Sequence, residues 1–338
     1  MIMPVMHSEW VDCIMLSLRI LGAFMILLLS AAYLTYVERK MIAAIQLRRG
    51  PNRVGIFGLL QPIADGLKLL HKETIFPFGA KRGLFIAAPL ITFAMSFTAW
   101  SLIPIDKTRV FADISVGVLG ILALSSLAVY GVALAGWASQ SSYGILGAVR
   151  SVAQMISYEV SLGLVVASVL LWTGSANLTC IVEAQRTVWF VFPLFPMFVI
   201  FIISIFAETN RIPFDLPEAE SELVAGYHVE YASIPFALFF LAEYANIILM
   251  SAFTVLLFLG GWLPPFECLS FIPGPVLFFS KTALMIFLFI LARASLPRFR
   301  YDQLMSLGWK ACLPFSLAWL ILSAALLLAL GWLPKGGG

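Results

Sequence analysis

Long apolar segments alternate with shorter polar connections along the whole chain. Eight of them reach the roughly 20 apolar residues that a helix needs to cross a bilayer. They cover about residues 14–37, 83–105, 114–137, 150–172, 188–207, 232–260, 276–297 and 311–333. Lipid offers an open backbone group no hydrogen-bond partner, so every such segment is predicted to be helical. The pattern therefore predicts an all-α, polytopic membrane protein that forms one integral membrane domain over residues 1–338.

The first long connection, 38–82, contains a second kind of pattern. Between Ile56 and Glu73 the apolar residues return at helical spacing, and the polar residues fall on the opposite face. This periodicity predicts an amphipathic helix, with Pro62 in its first turn where a missing N–H costs little. A helix of this type lies in the membrane interface.

A strongly acidic connection follows the fifth apolar segment. It contains one arginine, Arg211, among six carboxylates: Glu208, Asp215, Glu218, Glu220, Glu222 and Glu230. Asp215-Leu216-Pro217-Glu218 is typical of a helix start and predicts a short helix to about Tyr227. Folding alone does not require so much negative charge next to a membrane. The loop therefore indicates a role in handling protons, cations or the basic surface of a partner.

Basic residues are distributed unequally between the connections on the two sides of the membrane. Connections 38–82, 138–150, 208–231 and 293–310 contain 15 Lys and Arg, and the opposite set contains 4. The positive-inside rule places the first set in the cytoplasm and both termini outside. The net charge of +3 mostly reflects this asymmetry and does not indicate nucleic-acid binding.

Motifs for cofactors are missing from the sequence. The four cysteines show no C-x-x-C pair and no metal-ligand spacing, so no iron–sulfur cluster or haem is expected in this chain. Neither a dinucleotide-binding G-x-G-x-x-G nor a P-loop occurs. Isolated small hydrophobic side chains remain the simplest interpretation of the cysteines, although a disulfide on the outer side is an alternative.

Four ionisable residues lie inside the apolar segments: Arg19, Glu159, Glu243 and Lys281. A charge near a helix centre costs on the order of 2.5–3.5 kcal/mol on insertion scales, so such residues usually face a polar pathway. Arg19 and Lys281 can also reach outward as simple anchors. Glu159 and Glu243 have polar neighbours that can form hydrogen bonds. We expect both acids to relay protons, with structural packing as the alternative.

Three stretches together identify a family. They are Tyr36–Lys40 followed by Arg48–Lys68, then Glu208–Tyr231, and finally Ala292–Met305. With these motifs the chain resembles a family of membrane subunits of bacterial NADH:quinone oxidoreductase, the counterparts of mitochondrial complex I subunit 1. The resemblance extends from about residue 20 to 333, and the first two motifs are long enough to be highly specific.

The resemblance implies a function in an enzyme complex of the cell inner membrane. NADH would be oxidised in partner subunits that hold FMN and iron–sulfur clusters, while this chain binds no cofactor and joins the membrane and peripheral arms. It would form much of the quinone chamber, lined by Glu38, Arg39, Arg48, Asp65, Arg293 and Arg298. It would couple quinone reduction to proton translocation through Glu159, Glu208, Asp215, Glu218, Glu220, Glu222, Glu230 and Glu243.

Three other functions remain open from the residues alone. A secondary transporter or channel also places acids in its spans, but the two halves show no internal repeat. The membrane anchor of an ion-pumping hydrogenase is a closer alternative, and it would need no quinone chamber. A pure scaffold would tolerate neutralisation of the acidic loop.

Overall fold

The computed structural model describes residues 3–107, 110–215, 224–266 and 271–331, with side chains described from Met15 onward. Every regular element in these ranges is a helix, which confirms the all-α class. The α-helices are α1 (Met3–Ile45), α2 (Gln61–His71), α3 (Arg82–Ala99), α4 (Gly117–Ser139), α5 (Ser142–Thr173), α6 (Leu178–Ala184), α7 (Phe195–Glu208), α8 (Ser233–Phe258), α9 (Gly274–Ser295), α10 (Tyr301–Ser306) and α11 (Leu313–Leu330). Short 3-10 helices occur at Ile56–Gly58, Trp100–Leu102 and Gly226–His228, and the π-helix Leu307–Cys312 joins α10 to α11.

Seven helical stretches in the described part of the chain are long and apolar enough to cross a membrane. They correspond to seven of the eight predicted spans. The remaining predicted span, 188–207, corresponds to α7. This helix has only 14 residues and is about 21 Å long at 1.5 Å per residue. Pro193 and Pro196 explain the late start of α7, because proline cannot donate the hydrogen bonds of a helix interior.

Two predicted helices differ from the structure. The amphipathic helix covers Gln61–His71 instead of 56–73, because the chain turns at Gly55 and Gly58, which have φ of +75° and +85°. The helix predicted from Asp215 to about Tyr227 falls largely on 216–223, outside the described residues. Its predicted end is a turn and the 3-10 helix Gly226–His228.

The chain forms two compact units, Met1–Asp65 and Gly66–Gly338. In the first unit, the turn after α1 packs back on the end of that helix. The Tyr36 hydroxyl donates a hydrogen bond to the carbonyl oxygen of Phe57 at 2.7 Å. Lys40 in the same helix donates one to the Asn52 side chain. These bonds fix the basic turn at 48–53 relative to α1.

In the second unit, α3 packs against α4 and α8, while α5 packs against α4, α7 and α11. The rings of Phe85 and Tyr231 stack with centroids 4.0 Å apart at the centre of one buried cluster. Tyr231 has no described hydrogen bond at its hydroxyl, and burial raises its pKa above the usual value. This cluster attaches the end of the acidic loop to the helix bundle.

A backbone contact brings α5 and the 3-10 turn Gly226–His228 together. A Cβ atom at Gly147 would lie 2.7 Å from the Cα of Gly226 and 2.8 Å from the backbone nitrogen of Tyr227. Real Cβ atoms do not approach backbone that closely, so the two segments can meet only because residue 147 is glycine. The contact places the end of the acidic loop directly on α5.

Candidate functional site

An ion pair lies inside the helix bundle of the second unit. The Nε of Arg211 is 2.7 Å from Oε1 of Glu243, and the two side chains are only 9% and 16% exposed. The guanidinium also lies over the ring of Tyr244, 4.4 Å from its centroid. Glu243, predicted as an intramembrane proton carrier, therefore has a cationic partner supplied by the acidic loop.

The chain positions Arg211 through a tight turn after α7. This helix ends at Glu208, and Asn210 adopts a left-handed conformation with φ of +50°. Asparagine tolerates this conformation better than most residues because its side chain can form local hydrogen bonds. The turn thus reverses the chain within a few residues and directs the arginine toward α8.

Gln154 of α5 holds the same turn from the opposite side. Its amide nitrogen donates to the carbonyl oxygens of Ala207 and Phe214 at 2.7 and 2.8 Å, and contacts Oδ1 of Asn210 at 3.1 Å. Gln154 is completely buried. A buried amide that binds both ends of the turn restricts its movement, because breaking these bonds would leave buried polar groups unsatisfied.

A cavity with both apolar and polar lining lies between α3, α4, α7 and α8. It has a volume of about 60 Å³, and its polar lining consists of Thr92, Ser96, Ser125, Glu208, Thr209, Asn210, Tyr227, Glu243 and Asn246. A water molecule needs roughly 10–15 Å³ measured this way, so the cavity has room for about four. Glu208 and Glu243 thus line the same small cavity.

Glu159 of α5 extends this series of carboxyl groups. Its Oε1 accepts a hydrogen bond from the Ser126 hydroxyl. The Glu208 carboxyl interacts with the Ser125 hydroxyl and electrostatically with Glu159. Glu208 therefore connects the three acids of the bundle, since it interacts electrostatically with Glu159 of α5 and lines a cavity together with Glu243 of α8.

A second ion pair connects the acidic loop to the segment after α9. Nη2 of Arg298 is 3.2 Å from Oδ2 of Asp215, whose side chain is 7% exposed. The backbone N–H of Phe299 donates to the carbonyl oxygen of Pro213 at 3.1 Å. The ring of Phe299 also stacks on Phe214 with centroids 5.5 Å apart. One residue predicted for the quinone chamber thus binds one predicted for proton coupling.

The predicted chamber residues of the first unit include another ion pair. Nη1 of Arg39 lies 2.9 Å from Oδ2 of Asp65, and both side chains are more than a third exposed. Pairs this exposed contribute little to stability, so both groups remain available to a ligand. Arg48 donates to the side chain of Gln46 at 2.8 Å, and Glu38 is buried.

The remaining predicted residues are less informative. Glu230 is half-buried after the 3-10 turn, and Arg293 lies in the last turn of α9. Glu218, Glu220 and Glu222 lie outside the described residues. Arg19 is exposed on α1, which fits the anchor interpretation.

The sequence indicated no role for Arg211 or Ser126. It suggested Gln154 only as a hydrogen-bonding neighbour of Glu159, whereas Gln154 binds the turn after α7. A single arginine among six carboxylates was the available signal for Arg211, and a buried amide within an apolar span was the signal for Gln154. The serine gave no signal at all, because serine is common in membrane helices and only the fold places it beside Glu159.

Within the described residues, no group of three His, Cys, Asp or Glu side chains could hold a metal ion. The described cysteines, Cys180 and Cys312, are free thiols. The side chains of Cys13 and Cys268 lie outside the described part. The chemistry available to the cluster is therefore that of carboxyl groups, guanidinium groups and water.

Membrane-spanning helices with ion-paired and neighbouring acids between them define a polytopic membrane protein with ionisable groups inside its helix bundle. A family model described as NADH dehydrogenase matches residues 18–324. A subunit of the NADH-quinone oxidoreductase of Rhodospirillum centenum is 57% identical over 319 residues, covering 94% of this chain and 95% of that protein. The corresponding subunit of Paramagnetospirillum magneticum is 58% identical over 321 residues, or 95% and 94% of the two chains. NADH-ubiquinone oxidoreductase chain 1 of Chondrus crispus is 58% identical over 321 residues, or 94% and 98%. The chain belongs to the NADH dehydrogenase family, which confirms the resemblance found in its motifs.

Proposed function

We propose that this chain is the membrane subunit of a proton-translocating NADH-quinone oxidoreductase, in which it helps to form the quinone chamber and passes the energy of quinone reduction to proton carriers. The observation that supports coupling best is that Glu208 and Glu243 line one cavity among membrane helices, while Glu159 interacts electrostatically with Glu208. Electrons arrive from FMN and iron–sulfur clusters in partner subunits. This chain supplies the binding surface and the ionisable groups.

Glu38, Arg39, Arg48, Asp65, Arg293 and Arg298 form the proposed chamber lining. Guanidinium groups donate strong hydrogen bonds to oxygen atoms that become negatively charged, as the quinone oxygens do on reduction. Arg39 and Asp65 together could stabilise the head group and adjust its protonation. The pair in the structure supports this assignment, because both side chains remain more than a third exposed.

Coupling follows from electrostatics across the contacts of the acidic loop. Negative charge on a reduced quinone near Arg298 competes with Asp215 for the guanidinium. Asp215 lies four residues after Arg211, the partner of Glu243, so weakening one ion pair changes the position or charge of the next. Interacting carboxyl groups titrate as a set, so a change at one is felt by its neighbours. Glu218, Glu220, Glu222 and Glu230 would belong to the same set.

We further propose that all helices form one integral domain in the cell inner membrane, with both termini outside. The unequal distribution of Lys and Arg supports this orientation. The chain would then place its acidic loop and the 48–53 turn on the cytoplasmic side, where NADH is available to partner subunits.

Glu159 gives the sharpest test of the coupling role. Glu159→Gln keeps the shape and the hydrogen bond from Ser126 but cannot exchange a proton, whereas Glu159→Asp keeps the acid. In membrane vesicles given NADH, we expect the Gln variant to assemble yet lose at least about tenfold in coupled proton uptake, and Asp to retain more. NADH oxidation by a soluble acceptor should be unchanged, because that reaction takes place in partner subunits.

Glu183→Gln is the matched control. This glutamate lies on α6 with its carboxylate 2.7 Å from Nζ of Lys107, and the hydrogen bond from that ammonium lowers the pKa of Glu183 below its usual value. Its neutralisation removes one carboxylate away from the cluster and should leave coupling normal. Normal proton uptake in Glu159→Gln would show that Glu159 contributes only to packing. A complex that oxidises NADH but never reduces quinone would favour the hydrogenase-type anchor instead.

A further inference from the structure

Lys281 has an unusual environment for a lysine in a membrane helix. It lies in the eighth position of α9, and its Nζ donates to three backbone carbonyl oxygens. The distances are 2.7 Å to Leu259, 3.0 Å to Gly261 and 2.6 Å to Leu263. An ammonium group has three N–H donors and no acceptor, so three carbonyl oxygens satisfy it completely.

The three carbonyls belong to the turn that follows α8. Backbone carbonyls just beyond the end of a helix have no partner within it, and lipid offers them no hydrogen-bond donor. The same end of a helix carries a partial negative charge that favours a cation. Lys281 therefore supplies donors to the turn that follows α8 and places a positive charge near the end of that helix.

Two further groups complete this environment. The Lys281 ammonium lies over the ring of Trp189, 4.3 Å from its centroid, at a distance typical of cation–π contacts. Gln185, completely buried, donates to the carbonyl oxygen of Leu256 at 2.8 Å and accepts from the N–H of Gly260 at 3.0 Å. The turn is thus held in shape independently of Lys281, so its carbonyls converge on a preformed position.

This geometry differs from that of a lysine that only anchors a helix. An anchoring lysine extends its ammonium toward water and headgroups, whereas Lys281 turns its ammonium to backbone oxygens and an aromatic face. We propose that Leu259, Gly261 and Leu263, with Trp189, form a binding site for a primary ammonium ion, which Lys281 occupies from within the chain. The proposal does not depend on the quinone chemistry of the complex.

The proposal implies that a free alkylammonium ion can replace the side chain. Lys281→Ala removes three carbon atoms and the ammonium, which together correspond to propylammonium. Unfolding can be followed with a dye that reacts with thiols in a purified full chain in which Cys13, Cys180 and Cys268 are replaced by serine. Cys180 is exposed in the folded protein and would react at once, whereas Cys312 is only 4% exposed and reacts on unfolding. We expect Lys281→Ala to lower Tm by roughly 5 °C or more, and propylammonium to restore most of this loss.

Propan-1-ol is the neutral control, since it has the same number of heavy atoms and no charge. It should restore little, and propylammonium should leave the wild-type Tm unchanged because the site is already full. Lys68→Ala, a change at an exposed lysine of α2, should respond to neither compound. Equal rescue by alcohol and ammonium would show that the site only needs filling, and no rescue by either would show that it is not an ammonium site.

A second pair of variants keeps the proposal testable if Lys281→Ala does not fold. Lys281→Met preserves length and apolar contacts without the charge, whereas Lys281→Arg preserves charge and donors. We expect the Arg variant to melt closer to wild type than the Met variant does. A Met variant as stable as wild type would overturn the proposal, because neither the charge nor the three hydrogen bonds would then be needed.

Discussion

Replacement of Arg211 should show how much the ion pair with Glu243 contributes to the stability of the protein. In Arg211→Met, a carboxylate that is 16% exposed loses an arginine 2.7 Å away. Breaking a buried pair in this way costs about 3–5 kcal/mol, and loss of the contact with Tyr244 adds about 0.5–2 kcal/mol. At roughly 2–4 °C per kcal/mol, Tm should fall by about 7 °C or more.

A double-mutant cycle separates the pair from the rest of the site. Glu243→Gln should cost less than Arg211→Met, because the arginine keeps its contact with the Tyr244 ring. The combined variant should be more stable than the sum of the two losses predicts, by about 2 kcal/mol, since no unpaired charge remains. The Tm of all four proteins can be measured in the same detergent with the thiol-reactive dye. Strictly additive losses would refute the reasoning, because the two side chains would then contribute independently.

Three further predictions follow from other parts of the chain. Reporter fusions after residues 60 and 300 should both read cytoplasmic; opposite signals would show that α7, with 14 residues, does not cross the membrane. Ala64→Trp on α2 should slow quinone reduction while NADH oxidation by a soluble acceptor continues, and equal loss of both activities would indicate misassembly instead. Burial lowers the pKa of His228 to about 4, although nearby Asp215 opposes this shift. The unfolded chain therefore binds more protons, so stability should be complete above about pH 6.5 and fall toward pH 4. His228→Gln should flatten that pH dependence, and an unchanged curve would exclude His228 as its source.

Long apolar segments made the helical class predictable. In lipid the backbone groups of such a segment have no outside partner, and a helix satisfies their hydrogen bonds within the segment. The positions of helix ends were less predictable. Residues 188–207 have the composition of a full span, yet Pro193 and Pro196 delay α7 to Phe195. Similarly, the helical periodicity of 56–73 does not reveal that glycines with positive φ keep its first residues outside α2.

The residues of the candidate site were also predictable only in part. Glu159 and Glu243 could be selected from the sequence, because a carboxyl group within an apolar span is costly and needs a reason. Their partners could not be selected, since contacts between residues 33 or 32 positions apart, such as Ser126 with Glu159 or Arg211 with Glu243, depend on which helices pack together. The pair between Arg298 and Asp215 spans 83 positions and likewise follows only from the fold.

The contact at Gly147 also restricts which amino-acid substitutions the protein can tolerate at this position. Every amino-acid replacement of a glycine adds a Cβ atom, and here that atom would collide with the backbone at Gly226 and Tyr227. No missense change at this codon is therefore conservative, however small the new side chain. Drift at neighbouring apolar positions can exchange one hydrocarbon for another of similar volume, but this position admits no such exchange. Residue 147 must therefore remain glycine if the end of the acidic loop is to pack on α5.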